Sequence, residues 1–349
     1  MTGRSRQAVP TAPLTRMRAV TGASPRETFM TSSFTAACVA AAASFAASFA
    51  AAPAGAAEFI NVLTGGTSGV YYPLGVAVGK LVAAKLPDAK TSVQATKASV
   101  ENLNLLQAGR GEIAFTLGDS LSMAWSGDAE AGFKAKLDKL RTIGAIYPNY
   151  IQIVARADSG IKTLADLKGK KISVGAPKSG TELNARAILG AAGLGYADFA
   201  KTEYLPFAES VELMKNRQLD ATLQSAGLGV ASIKDLAVST DIVVVEVPAA
   251  VVARMGNPVY VGATIPGGTY PGQTAPVETV AVVNYLVTHA GVSDDTAYAM
   301  TKAIFENVGE LAAAHSAARQ ISVDTAATPS PVPPHPGAAR YFREKGLAK

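Results

Sequence analysis

Short apolar runs alternate along the chain with longer segments of helical periodicity. The run Phe59–Leu63 predicts a strand, and the recurrence of Leu74, Val78 and Leu81 predicts a helix with one apolar face. The same alternation continues to the end of the sequence. Further predicted strands are Thr91–Ala95, Ile113–Leu117, Leu140–Ile146, Ile151–Ala155, Lys171–Val174, Thr202–Leu205, Ala221–Gln224 and Ile242–Val247. Further predicted helices are Ser99–Gln107, Thr181–Ala192 and one near Asp294–Asn307.

This alternation predicts an α/β fold with a largely parallel sheet flanked by helices. The chain has 349 residues, which favours about two domains. Proline and asparagine in Tyr147–Tyr150 predict a turn, and we place the crossing between two α/β lobes there. Residues 57–147 and 249–349 then form the first lobe and residues 148–248 the second, with the return crossing near Pro248. A ligand cleft is expected between the lobes.

The positive charge of the sequence is concentrated at its start. The first 29 residues hold five arginines and one glutamate, and without them the formal net charge falls from +5 to +1. The basic balance therefore lends no support to nucleic-acid binding, for which a basic face on the folded domain is needed.

Residues 1–56 have the pattern of a secretory signal peptide. The basic stretch precedes the uncharged, alanine-rich run Phe34–Ala52, and the small residues Ala54–Ala56 suit cleavage after Ala56. We therefore expect a periplasmic location for the mature chain. A retained membrane anchor and a lipoprotein at Cys38 are the alternatives; the run has few large apolar residues, and the segment before Cys38 lacks the leucine expected of a lipoprotein signal.

No pattern of catalytic residues is present. Cys38, the only cysteine, is removed with the leader, and the histidines lack metal-ligand spacing. The segment Gly175–Gly180 has the glycine spacing of a phosphate-binding P-loop, but Thr181 and Glu182 stand where that motif needs lysine and a hydroxyl residue. The sequence therefore predicts no enzyme, no metal and no cofactor.

Small polar loops at predicted helix starts indicate a binding site instead. They comprise Thr64–Gly69, Ser99–Asn102 and Ser179–Thr181, and Asp119 is a candidate cap of a further helix. Helix starts offer unpaired backbone N–H groups and a partial positive charge, so they suit an anionic ligand. The hydroxyls in these loops add donors, whereas we expect Arg186 to face the protein. Tyr71 and Tyr72, and Tyr147 near the crossing, are candidate walls of the cleft.

Several motifs carry a resemblance to a known family. The opening motif Thr64–Gly75, the block Ser99–Gly109, the segment Gly175–Arg186 and the C-terminal block His335–Glu344 resemble the TAXI family. Members of that family are the solute receptors of tripartite ATP-independent periplasmic (TRAP) transporters. Lys97-Ala98 stands where the family shows two glycines, and Gly227-Leu228-Gly229 stands where it shows Gly-x-Pro.

The resemblance implies a type II periplasmic binding protein fold without catalytic activity. It implies a ligand such as glutamate, glutamine, a 2-oxoacid or a dicarboxylate, and an integral membrane permease driven by an ion gradient as partner. We expect a monomer that closes around its ligand. The candidate ligand-binding residues are Thr64, Gly65, Gly66, Thr67, Tyr71, Tyr72, Ser99, Asn102, Asp119, Tyr147, Ser179, Gly180, Thr181 and Gly227.

Three alternatives stay open at this point. The first alternative is the receptor of an ATP-driven importer, the second is a receptor that serves a sensor system, and the third is a periplasmic enzyme. The absence of an ATPase gene beside the permease would argue against the first, and turnover of carboxylates by the purified protein would establish the last.

Overall fold

The structure, a computed structural model, describes residues 58–347. The expected signal peptide, with Cys38, lies outside the described residues. In the described part the strands are β1 (Phe59–Leu63), β2 (Lys90–Gln94), β3 (Ile113–Leu117), β4 (Leu140–Arg156), β5 (Lys171–Ser173), β6 (Lys201–Glu203), β7 (Ala221–Ala226), β8 (Ile242–Val245), β9 (Tyr260–Ile265) and β10 (Val277–His289). The helices are α1 (Tyr71–Lys85), α2 (Ser99–Gln107), α3 (Gly118–Ser126), α4 (Gly180–Ala191), α5 (Phe207–Lys215), α6 (Ala231–Ser239), α7 (Ala249–Met255), α8 (Asp294–Phe305), α9 (Val308–Ala314), α10 (Val323–Ala326) and α11 (Pro336–Glu344). The predicted α/β class is confirmed.

Helix α1 shows how local sequence places an element on the sheet. Leu74 and Val78 are buried on its inner face, and Pro73 lies in the first turn, where the missing N–H costs no helical hydrogen bond. Gly75 faces the strand β1: a Cβ there would come within 2.3 Å of Cγ2 of Thr64. Glycine at this position lets the helix start close to the strand end.

The strands form one mixed sheet in the order β2-β1-β3-β10-β4-β7-β5-β6, with β8 beside β4 and β9 beside β10. The pairs β1–β2, β1–β3, β5–β6 and β5–β7 are parallel, whereas every pair made by β4 or β10 is antiparallel. The expected largely parallel sheet is therefore wrong. Both long strands are buried along most of their length, as parallel strands are, so their apolar pattern does not reveal their direction.

The expected turn at Tyr147–Tyr150 is also wrong, because these residues lie inside the continuous 17-residue strand β4. Pro148 pairs with Val283 of β10, and the register shifts beside it. Proline has no N–H to donate to the ladder. The side-chain amide of Asn284 inserts at this irregularity and donates to the carbonyl of Tyr147 at 2.8 Å. A side chain from a distant part of the chain thus provides the Tyr147 carbonyl with a donor beside the irregularity.

The chain segment after Pro248 packs beside β4 and β7 before the chain reaches β3 again through β10. Val251, Tyr260 and Val280 belong to the same buried cluster as Ile153 and Leu223. Strand β10 then continues past Asn284 to pair with β3. No helix in residues 58–347 has both the length and the apolar character needed to span a membrane.

Candidate ligand-binding cavity

A cavity of about 120 Å³ lies where several strands end and the following helices begin. In open α/β sheets the carboxyl ends of the strands are the usual place for a ligand. The cavity is lined by Gly65, Gly66, Gly69, Val70, Tyr71, Thr96, Lys97, Ala98, Ser99, Leu117, Asn149, Ala176, Ser179, Gly180, Thr181, Pro206, Phe207, Ser225 and Ala226.

Four helices begin at this cavity. Their first residues, Tyr71 of α1, Ser99 of α2, Gly180 of α4 and Phe207 of α5, all line it. Each helix start carries backbone N–H groups without a helical partner and a partial positive charge. The four starts come from both ends of the strand order, so the sheet topology brings their N–H groups to one place.

Half of the predicted site residues line the cavity and half do not. Those at the cavity are Gly65, Gly66, Tyr71, Ser99, Ser179, Gly180 and Thr181. Those elsewhere are Thr64, Thr67, Tyr72, Asn102, Asp119, Tyr147 and Gly227. The three predicted loops therefore meet at one cavity, although only part of each faces it.

The hydroxyls of Ser179 and Ser99, at two of the helix starts, have different uses. Ser179 caps α4, because its Oγ accepts the N–H of Glu182 at 3.1 Å. The position of Ser99 at the start of its predicted helix indicates a cap, but this is wrong: the helix begins after Ala98 without a side-chain cap, and Oγ of Ser99 accepts the N–H of Leu117 at 3.1 Å. Ser99 thereby ties the start of α2 to the end of β3.

Thr181 contributes a hydroxyl that is free for a ligand. The residue is 6% exposed and lines the cavity. Within residues 58–347 its hydroxyl makes no hydrogen bond to the protein, whereas the hydroxyls of Ser99 and Ser179 are both engaged. Because no protein group uses this hydroxyl, it can donate to a group that the cavity receives.

Asp119 lies in the first turn of α3. The Ncap residue of that helix is Leu117, so the prediction that Asp119 caps the helix is wrong. Its Oδ2 accepts from Nδ2 of Asn184 at 2.6 Å and from the hydroxyl of Tyr260 at 2.7 Å. Its Oδ1 accepts the N–H of Ser120 at 2.7 Å. Burial raises the pKa of Asp119, and these donors oppose that rise. The carboxylate therefore joins α3 to α4 and β9 behind the cavity.

Thr64 and Asn102 are fully buried and hold the loops in place. The hydroxyl of Thr64 donates to the carbonyl of Gln94 at 2.7 Å. Nδ2 of Asn102 donates to the carbonyls of Thr64 and Phe115 at 2.7 and 2.8 Å, and its Oδ1 accepts from the hydroxyl of Thr96 at 2.7 Å. Asn102 thus ties together the ends of β1, β2 and β3.

A buried polar network forms the wall of the cavity beside the long strands. The Tyr71 hydroxyl donates to Oδ1 of Asn284, and Nδ2 of Asn284 donates to Oδ1 of Asn149 at 2.8 Å. Nδ2 of Asn149 in turn donates to the carbonyl of Ser225 at 3.0 Å. Burial raises the pKa of Tyr71, so its phenol keeps the proton that it donates. The network runs from α1 across β10 and β4 to β7.

Tyr147 and Gly227 pack against each other next to this network. Tyr147 is fully buried, and a Cβ on Gly227 would come within 3.1 Å of its ring and 2.7 Å of Cβ of Ala317. Gly227 therefore makes room for Tyr147 and Ala317. Thr67 is exposed in the first loop and Tyr72 is half-buried in the first turn of α1, and neither lines the cavity.

Several cavity residues were not predicted from the sequence. Lys97 and Ala98, which depart from the TAXI pattern at a potential cleft position, do line the cavity, whereas the sequence places Asn149 only in a turn. Pro206 and Phe207 follow a predicted strand and open α5, so the strand-to-helix rule that located the other loops also applies to them. Ser225 has no local signal, because it reaches the cavity only through the pairing of β7 with β4.

The cavity favours negative charge. Lys97 is the one formally charged side chain among the lining residues of the described structure, and no carboxylate is among them. Within residues 58–347 no cluster of three or more histidine, cysteine, aspartate or glutamate side chains is suited to a metal ion. The lining offers backbone N–H groups, hydroxyls, the side-chain amide of Asn149 and one ammonium.

Comparison with protein families gives a clear result. The model of the NMT1-like family matches residues 62–346, which is more than half of the chain. The chain belongs to the NMT1-like family. The match begins within β1 and ends after α11, so all four helix starts at the cavity of this NMT1-like protein fall inside it.

Solved structures show the same fold. A structure described as a periplasmic transporter superposes with a TM-score of 0.53 at 13% identity, covering 85% of this chain and 95% of that chain. A protein of Bordetella bronchiseptica RB50 superposes with a TM-score of 0.50 at 17% identity, covering 84% and 90%. The periplasmic aliphatic sulphonate binding protein SsuA from Escherichia coli has 16% identity and a TM-score of 0.44, covering 82% and 78%. The first two likenesses show that this NMT1-like protein shares the fold of these two structures, one of which is described as a periplasmic transporter.

Proposed function

We propose that this protein is a periplasmic receptor that binds a small carboxylate-bearing solute and delivers it to a TRAP-type membrane permease. The observation that carries the proposal is the convergence of four helix N-termini on one cavity that has no acidic side chain. Membership of the NMT1-like family and the fold shared with a periplasmic transporter support the receptor role.

The helix starts provide enough attraction for an anion without an arginine. One helix N-terminus contributes about 0.3–1 kcal/mol at an exposed site and up to about 2 kcal/mol in a partly buried one. Ser99, Gly180 and Thr181 are all buried, so the starts of α2 and α4 are of the second kind. The free hydroxyl of Thr181 adds one donor. Several such contacts can hold a carboxylate that has left water.

Ligand release requires the cavity to open, and we propose that it opens by a hinge between two lobes. The cavity is lined from one side by α1 and α2 and from the other by α4 and α5. Strands β4 and β10 pass between these groups, at Tyr147–Asn149 and at Asn284. Under this proposal the return crossing lies at Asn284 and not near Pro248, because residues 249–283 pack with the second group. Ligand that bridges the two sides would favour the closed form.

The permease as partner rests on the resemblance to TAXI receptors. Under this proposal the receptor has no catalytic step. The cavity is lined by hydroxyl residues, among them Ser179, Thr181 and Ser225, and no histidine is among its described lining residues. An ATP-driven importer is the alternative partner, and transport in cells that contain only the candidate permease distinguishes the two.

A ligand screen tests the proposal. The purified protein is heated with amino acids, 2-oxoacids, dicarboxylates and neutral amides of the same size, because a ligand that binds only the folded state raises the melting temperature. Carboxylates are expected to raise it and the matched amides are not. Thr181→Val should weaken binding of the best carboxylate, whereas Arg186→Gln should not, since Arg186 pairs with Glu182 at 2.9 Å away from the cavity. Equal shifts with carboxylates and amides would contradict the proposal.

A further inference from the structure

Lys97 lies at the mouth of the cavity, at a different depth from the helix starts. It is exposed and lines the cavity, whereas Ser99 and Thr181 line the same cavity and are 1% and 6% exposed. The cavity therefore offers two kinds of attraction to negative charge. Backbone N–H groups and the Thr181 hydroxyl act in the buried part, and an ammonium group acts at the entrance.

The backbone of Lys97 is held in place by its neighbours. Its N–H donates to Oε2 of Glu101 at 2.6 Å, and the next N–H, that of Ala98, donates to the hydroxyl of Thr96 at 2.9 Å. Ala98 has φ 71° and ψ −142°, a conformation that residues with a Cβ rarely adopt. The loop keeps this strained conformation, and Lys97 is thereby presented at the entrance.

The ammonium of Lys97 is available to a ligand. No ion pair joins it to Glu101 or to any other carboxylate in residues 58–347. The buried carboxylate behind the cavity, that of Asp119, does not line it and is already satisfied by Asn184, Tyr260 and Ser120. An ammonium group on a ligand would therefore find no negative partner in the cavity, and burial of an unpaired charge is unfavourable.

We propose that Lys97 is a specificity-determining residue, which selects solutes with a second negative charge and without an ammonium group. This inference rests on the proposed function. One carboxylate of the ligand lies at the starts of α2 and α4, and the other lies at the entrance against Lys97. The solute is a small dicarboxylate; a monocarboxylate of the same length leaves Lys97 without a partner, and an amino acid buries its ammonium without one.

Calorimetric titration of the full-length protein with three matched solutes tests this inference. Succinate has two carboxylates, butanoate has one at the same chain length, and aspartate adds an ammonium group to succinate. We expect succinate to bind at least tenfold more tightly than either of the others. Lys97→Met should lower the affinity for succinate at least tenfold and change that for butanoate less than twofold, whereas Lys97→Arg should keep the preference. The comparison is repeated with glutarate, pentanoate and glutamate, whose carbon chains are one atom longer.

Lys178→Met is the matched control, because it removes the same charge from the neighbouring loop without removing a lining residue of this cavity. It should change the affinity for succinate less than threefold. Equal losses in the Lys97→Met and Lys178→Met variants, or a preference for succinate that survives in Lys97→Met, would overturn the role of Lys97 while leaving the proposed function intact. Tight binding of aspartate would overturn the exclusion of ammonium. A wild-type protein that binds none of the carboxylates would contradict the proposed function itself, and this inference with it.

Discussion

The hydroxyl of Tyr71 donates a hydrogen bond to Oδ1 of Asn284 across 2.5 Å, and this bond joins the start of α1 to the middle of β10. Nδ2 of Asn284 has two further acceptors, the carbonyl of Tyr147 and Oδ1 of Asn149. A residue that lines the cavity is thus connected directly to β10 and, through Asn284, to β4. Any change at this bond reaches the cavity and the strand crossing together.

Tyr71→Phe should lower the free energy of unfolding by about 1–3 kcal/mol, because it leaves the buried Oδ1 of Asn284 without its donor. Tyr72→Phe is the matched control at the next position, where the tyrosine is half-buried and its hydroxyl makes no hydrogen bond in the described structure. It should change stability by less than about 0.5 kcal/mol. Urea unfolding of the two variants measures this difference, and equal effects would contradict the importance of the Tyr71–Asn284 bond.

Ser99→Ala and Thr181→Val should separate stability from affinity. Ser99→Ala removes the acceptor of the buried Leu117 N–H and should cost about 1–3 kcal/mol of unfolding free energy. Thr181→Val removes a hydroxyl without a protein partner, so we expect little loss of stability and about tenfold weaker binding of the carboxylate ligand. Thermal unfolding without ligand and calorimetry with ligand give the two values. A Thr181→Val variant that binds normally would place its hydroxyl outside the ligand contacts.

Ala98→Gly should stabilise the protein in the absence of ligand. Backbone strain of this kind costs about 1–3 kcal/mol, and the greater freedom of glycine in the unfolded chain offsets about 0.4–1 kcal/mol of the gain. Ala95→Gly is the control, because Ala95 lies in the same loop but has no positive φ. This substitution relieves no strain and only increases the freedom of the unfolded chain, so it should destabilise the protein. Chemical unfolding decides between them. Similar losses in both variants would show that Ala98 is not strained.

Asp119 should make stability depend on pH. Burial raises the pKa of its carboxyl in the folded protein above the ordinary value of about 3.9, so the folded state binds this proton more tightly than the unfolded chain. The resulting stabilisation is fully present below the ordinary pKa and is lost as the pH rises through the raised pKa. Unfolding free energies of wild type and Asp119→Asn, measured from pH 3 upward, should therefore diverge, with wild type losing about 1.4 kcal/mol for each unit of pKa elevation.

Asp138→Asn provides the comparison of opposite sign. A hydrogen bond from Gln107 lowers the pKa of the exposed Asp138 carboxyl, so its contribution is present above the ordinary pKa and is lost as the pH falls. The difference between wild type and Asp138→Asn should therefore shrink toward acid pH. The same slope in both variants would mean that the pH dependence does not come from the burial of Asp119.

The local sequence determined most of the elements around the cavity. Helix α2 and strand β3 have the predicted bounds, and α1, α4 and α8 lie where apolar spacing indicated. Periodicity reports which side of a segment faces the core, and glycine and small polar residues mark where the segment ends. For the same reason the sequence predicts that the loops before α1, α2 and α4 are parts of one site.

Tertiary structure alone decided the direction of β4 and β10 and the partners of the buried polar groups. Pro148 and Asn149 have the local pattern of a turn, yet they lie within a strand because Asn284, 135 residues from Asn149, donates there. Asp119 resembles a helix cap in sequence, but its partners Asn184 and Tyr260 lie 65 and 141 residues away. Lys97, Ser225 and Phe207 meet at one cavity only after the sheet has formed. Local patterns encode burial and backbone preference, whereas hydrogen bonds between distant segments depend on strand order, which no local pattern contains.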